Sequence, residues 1–150
     1  MLRLSRKTML ALEAVLDVAY NARPDPVQSK DITARQGIPQ RYLEQVMQQL
    51  VHQGVLKGVR GPKGGYTLAR ERRRITVGDV VRIVDQLDAE ADSEPVSQAE
   101  LGEKVVGPLW ADARDSILEK LDQITMEDLC RRAREMGIAH GVRLKPDFNI

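Results

Sequence analysis

Arg41, Glu44, Gln45, Gln48 and His52 recur at i, i+3, i+4, i+7 and i+11, the spacing of one polar face of an α-helix. These side chains suit base edges. Arg offers a donor fork to O6 and N7 of guanine, Gln pairs with N6 and N7 of adenine, and Glu accepts from N4 of cytosine. The chemistry implied is reading a DNA major groove, with Gln40, Arg41, Glu44, Gln45 and Gln48 as candidate base contacts. Arg60 and Lys63 form a second group, set in the glycine-rich tip Gly61-Pro62-Lys63-Gly64-Gly65. Cations there could meet phosphate or enter the minor groove.

The elements needed to position these groups are legible around them. Leu43, Val46, Met47, Leu50 and Val51 supply an apolar stripe opposite the polar face, so residues 39–53 read as an amphipathic recognition helix. Pro39 suits the first helical turn and Gly54 the stop. Val55 to Arg60 and Tyr66 to Arg70 read as the strands of a hairpin, with glycines able to supply the positive φ its turn needs. Ser29 is a candidate N-cap for a short helix over Lys30 to Gln36, and Gly37 makes the turn into the next helix. Helix, turn, recognition helix and a cation-tipped hairpin over 55–70 together describe a winged helix-turn-helix.

The strings YLEQV at 42–46 and VRGPKGGYTLAR at 59–70 resemble the signature of the Rrf2 family of bacterial winged-helix transcription regulators. The likeness runs from Arg3 to about Gly137 and is strongest over residues 28–87. It implies a homodimer that binds double-stranded DNA sequence-specifically, with the Tyr-Leu-Glu-Gln segment facing the bases, which singles out Glu44 and Gln45. It also implies a long C-terminal helix that packs against a second copy. Several proteins of this family hold an iron–sulfur cluster through three cysteines between the fourth helix and the long helix. Here residues 88–108 contain no Cys and no His, so no cofactor is evident and a cluster is not expected.

Charge supports a division of labour. Residues 1–87 hold 15 Lys and Arg against 8 Asp and Glu, whereas residues 88–150 hold 8 against 14, although the whole chain carries only +1. A basic first half and an acidic second half fit a DNA-binding part joined to a part with another task. The expected organisation is a winged helix-turn-helix domain at 1–87, an acidic linker at 88–98, a helical dimerisation region at 99–137 and a tail at 138–150. The fold class is mainly α, with a two-stranded β wing and a long C-terminal dimerisation helix.

Residues 7–22 have apolar positions nearly all round, the pattern of a helix buried on more than one side. Arg3, Arg6 and Lys7 before it are either phosphate contacts or a solvated terminus. The run Arg70, Arg72, Arg73, Arg74 closes the wing, either reaching the DNA backbone or serving as a soluble loop. Pro24 and Pro26 mark a turn. Thr76 and Asp79, and again Thr125 and Asp128, have the spacing of a capping box, predicting helices through Leu87 and Met136. From Ala99 to Gln123 an apolar stripe of Leu101, Val105, Leu109, Ala113, Ile117 and Leu121 is flanked by Val106, Trp110 and Leu118. The predicted helix is kinked at Gly107-Pro108. Leu109, Trp110, Ala113, Ile117 and Leu121 are the expected dimer interface, with Trp110 as either an anchor there or part of the protomer core.

Enzyme chemistry finds no support. The two histidines, His52 and His140, form no metal motif, and the glycines at 61–65 do not match a phosphate-binding loop. The single cysteine, Cys130, excludes an intramolecular disulfide and reads as a buried, inert thiol, with a redox sensor as the alternative. No run of apolar residues is long enough to span a bilayer and no leader is evident, so a cytoplasmic protein without membrane contact is expected. A protein or small-molecule effector stays open. The competing function class is a winged-helix adaptor for other proteins, which would have no use for a cationic wing.

Overall fold

A computed structural model describes residues 5–22, 25–91 and 99–140, with 88–91 described by backbone alone. Arg3, Pro24, most of the linker and most of the tail lie outside the described residues. In chain order the elements are α1 (Arg6–Asn21), α2 (Ser29–Gln36), α3 (Gln40–His52), β1 (Leu56–Val59), β2 (Gly65–Leu68) and a 3-10 turn (Arg72–Arg74). They continue with α4 (Val77–Ala91), a π-helical turn (Gly102–Val106), α5 (Gly107–Leu121) and α6 (Met126–Glu135). The fold is a mainly helical winged helix-turn-helix with a two-stranded antiparallel wing.

α1 is the hub, packing against α2, α3, α4, α6 and β2. Its residues Ala11, Ala14, Val15, Val18 and Ala19 are buried, which is why its sequence is apolar nearly all round. Asp17 is buried with them. Its carboxylate accepts from Arg35 Nη2 and Nε at 2.7 and 2.9 Å and from Gln36 Nε2 at 2.8 Å. This pair ties the hub to the end of α2, and the Asp17 carboxylate raises the Arg35 pKa, chiefly by accepting its hydrogen bonds. A buried carboxylate satisfied in this way fixes α2 firmly, because removing either partner strands a charge.

The helix-turn-helix follows from local chemistry. α2 begins one residue earlier than expected, with Gln28 rather than Ser29 at the cap position and no side-chain cap. Gly37, at φ 67°, closes α2 in the left-handed conformation that favours glycine. Pro39 caps α3, and Leu43, Val46, Met47 and Leu50 drive its apolar stripe into the core. The phenol of Tyr42 donates to the Lys7 carbonyl at 2.6 Å, fixing the start of α3 against α1.

Both capping boxes form. The Thr76 hydroxyl accepts from the Asp79 N–H and the Asp79 carboxylate from the Thr76 N–H, each at 3.0 Å. The same reciprocal pair joins Thr125 and Asp128 at 3.1 and 3.0 Å. The two boxes also face each other. Val77 N–H donates to Ile124 O and Met126 N–H to Ile75 O, both at 2.8 Å, so one antiparallel bridge pairs the starts of α4 and α6. α4 continues to Ala91, beyond the expected end at Leu87, and takes in the first residues of the expected linker.

The irregularity foreseen at Gly107-Pro108 lies just before it. Residues Gly102–Val106 form a π turn, with the Gly107 N–H donating to the Gly102 carbonyl. The wider turn accommodates Pro108, which has no N–H to continue an α-helical ladder.

Candidate nucleic-acid interface

α3 presents Gln40, Arg41, Glu44, Gln45 and Gln48 to solvent, as its periodicity requires once the opposite stripe is buried. Arg41, Gln45 and Gln48 make no side-chain hydrogen bond or ion pair with another described residue, so their donors and acceptors are free for a ligand. Gln40 differs. Its amide nitrogen donates to Glu44 Oε1 at 3.0 Å and to Ser29 Oγ at 3.4 Å, while its oxygen accepts from the Thr33 hydroxyl at 2.9 Å. His52 is exposed in the last turn.

The wing stands beside this face. Leu56 pairs with Leu68 and Val59 with Gly65, leaving Arg60, Gly61, Pro62, Lys63 and Gly64 as the tip. Gly61 sits at φ 108°, and a side chain at Gly64 would collide with the Val59 carbonyl, so the tight turn requires glycine at both. Arg60 and Lys63 are exposed at this tip, with no ion pair to another described residue. The wing is also braced from α2: Val27 exchanges backbone hydrogen bonds with Tyr66 at 2.8 and 2.9 Å, and Gln28 Nε2 donates to Pro62 O at 3.3 Å. A groove of about 640 Å³ opens between these parts, its walls including Lys30, Val51, Val59, Arg60 and Tyr66. Burial, and then the nearby Glu44 carboxylate, raise the Tyr66 phenol pKa above its ordinary value.

Within the arginine run, Arg72 turns inward. Arg72 is largely buried, with Nε 3.0 Å from Glu127 on α6 and Nη1 donating to Ala19 O at 3.5 Å. Arg70 donates to Gly54 O, and Arg73 pairs with Glu71. Arg72 thus ties the base of the wing to α1 and α6, while Arg73 and Arg74 stay exposed. The residues that sequence reasoning passed over, Ser29, Thr33, Asp17 and Tyr66, act through contacts across elements. The signal available in sequence was only that polar residues interrupt otherwise regular patterns.

The expected dimer residues divide. Leu109, Trp110 and Ile117 are 65%, 57% and 43% exposed, and Leu101, Val105 and Val106 extend the same open apolar surface. Ala113 is half-buried, while Leu121 packs on the protomer's own core and Leu118 is buried in it. Arg82–Asp122 and Arg114–Asp85 ion pairs, the latter at 2.7 Å, fasten α5 to α4. No helix among the described residues is long and apolar enough to cross a membrane.

Cys130 is fully buried in α6, and burial raises its thiol pKa against the opposing effect of the nearby Arg72 guanidinium. One cysteine cannot supply the three thiolates of a cysteine-ligated iron–sulfur cluster, and no group of three or more His, Cys, Asp or Glu among the described residues could hold a metal ion. The residues present do not fit that cofactor.

Comparison with known proteins agrees with the geometry. The family model Rrf2, described as an iron-dependent transcriptional regulator, matches residues 4–132. The HTH-type transcriptional regulator IscR of Pectobacterium atrosepticum is 34% identical over 139 residues, spanning 92% of this chain and 85% of the relative. Among solved structures, T. potens IscR superposes with a TM-score of 0.73 at 36% identity, covering 93% of this chain and 94% of that one. CymR, the global cysteine regulator of B. subtilis, follows with a TM-score of 0.68 at 33% identity, covering 88% and 98%.

Proposed function

The chain belongs to the Rrf2 family of transcriptional regulators and is not an enzyme; on that premise we propose that it is a homodimer reading a two-fold-related DNA site. Each α3 enters a major groove, the two half-sites lying one helical turn or a multiple apart. Arg41, Glu44, Gln45 and Gln48 face the bases. Glu44 is repelled by phosphate, so it selects a base pair rather than adding affinity. Arg60 and Lys63 contact the backbone or minor groove and supply most of the salt dependence. Leu109, Trp110, Ala113 and Ile117 cover one another in the dimer, with Leu121 supporting them from the protomer core.

The observation that carries this reading is the pairing of Arg41, Gln45 and Gln48, exposed on α3, with wing-tip cations that form no ion pair among the described residues. A protein adaptor has no need of those cations. Regulation proceeds without a cysteine-ligated cluster, since a single buried thiol cannot build one. Where the bound site overlaps a promoter, the protein acts as a repressor.

Selection of the purified protein against a random duplex library at near-physiological salt tests the proposal. Enrichment of an inverted repeat is the expected result. A library that emerges with no preferred sequence would overturn it.

A further inference from the structure

Gln40 stands at the first residue of the recognition helix, where a base reader is expected, yet its amide is already occupied. Its nitrogen donates to Glu44 Oε1 and to Ser29 Oγ, and its oxygen accepts from Thr33 Oγ1. A glutamine amide has two N–H donors and a carbonyl with two lone pairs. Both donors have partners here, so a bidentate grip on adenine would require breaking one of them. The Thr33 hydroxyl has one proton, shared between Gln40 Oε1 at 2.9 Å and the Ser29 carbonyl at 3.0 Å, so both hydroxyls belong to the same turn of α2. That turn is held in turn by the Asp17–Arg35 pair at the other end of α2 and by the Val27–Tyr66 bridge before it.

We propose that Gln40 is a positioning residue: with Ser29 and Thr33 it forms a relay from α2 that holds the Glu44 carboxylate in the orientation that sets base preference. The proposal rests on the DNA-binding reading above and deepens it. A glutamate side chain on an exposed helix face samples several rotamers, and a carboxylate that rotates freely can accept from many donors. Fixing Oε1 on Gln40 leaves Oε2 as the outward acceptor and restricts where it points. Bound DNA covers these hydrogen bonds and excludes water from them, which strengthens the relay in the complex.

The inference is tested by repeating the duplex selection with Gln40→Ala, Glu44→Ala, the double variant and Thr33→Val. Gln40→Ala should lose discrimination, by about tenfold, at the same base pair that Glu44→Ala relaxes. The double variant should match Glu44→Ala alone, because the relay acts only through that carboxylate. Thr33→Val should shift the same position in the same direction by less. Unchanged melting of each variant separates this from loss of fold. Relaxation at a different base pair would make Gln40 a direct reader and overturn the relay, as would an unaltered site in Gln40→Ala. A wild-type protein that selects no site would instead defeat the DNA-binding reading itself.

Discussion

α3 and α5 are both exposed amphipathic helices, of 13 and 15 residues, and they resolve their apolar faces in opposite ways. In α3 the stripe Leu43, Val46, Met47 and Leu50 is at most 1% exposed, and the polar face looks outward. In α5 only Leu118 is buried, while Leu109, Trp110 and Ile117 look outward. The recognition helix buries its stripe within one protomer except at Val51, expected in the stripe but 36% exposed at the end of the helix. The long helix leaves apolar area in water, of the kind that marks an interaction surface. The first arrangement suits the major-groove role proposed for α3, and the second suits the proposed packing of α5 on a second copy.

That contrast can be broken most forcefully at Leu50. Leu50→Ala empties a fully buried site and should cost about 2–5 kcal/mol of folding stability, measured by denaturant unfolding. Trp110→Ala should leave the melting of a dilute protomer nearly unchanged and instead weaken association by about 2 kcal/mol, seen by sedimentation. Equal loss of folding stability in both variants, with unaltered association, would erase the distinction between the two faces.

The wing sharpens the comparison from the DNA side. Arg60→Ala should weaken binding to all duplexes alike and reduce the slope of log affinity against log salt by about 1, as expected for one phosphate contact. A change confined to one sequence would make Arg60 a base reader.

The smallest effect concerns α6, which packs on α1 and on the Arg72–Arg74 turn. The Asp128 pKa is held below the usual carboxylate value, first by the Thr125 backbone N–H and then by the Thr125 hydroxyl. A lowered folded-state pKa means this stabilisation is present above the unfolded-state value and is lost as pH falls through the folded-state one. Asp128→Asn should therefore melt lower than wild type near neutrality, with the gap closing in acid. A gap that stays constant with pH would remove the carboxylate's charge from the cap.

Much of this molecule was written in local pattern. The spacing of Leu43, Val46, Met47 and Leu50 defines a buried stripe from helical geometry alone, and Gly37, Gly61 and the two Thr-x-x-Asp boxes mark turns and starts through backbone chemistry. Hence the helix-turn-helix, the wing and the basic half could be read from sequence, and Cys130 could be expected to be buried. Other features depend on what crosses from elsewhere in the chain. Whether Gln40 reads a base or holds Glu44 depends on Ser29 and Thr33 arriving from α2. Whether Arg72 reaches DNA or α6 depends on Glu127, 55 positions later. The same apolar periodicity runs through α3 and α5, and only packing decided that one stripe is covered within the protomer and the other is left open. Periodicity identifies a face because it is a property of one helix; the occupant of that face is a property of its neighbours, which local sequence does not contain.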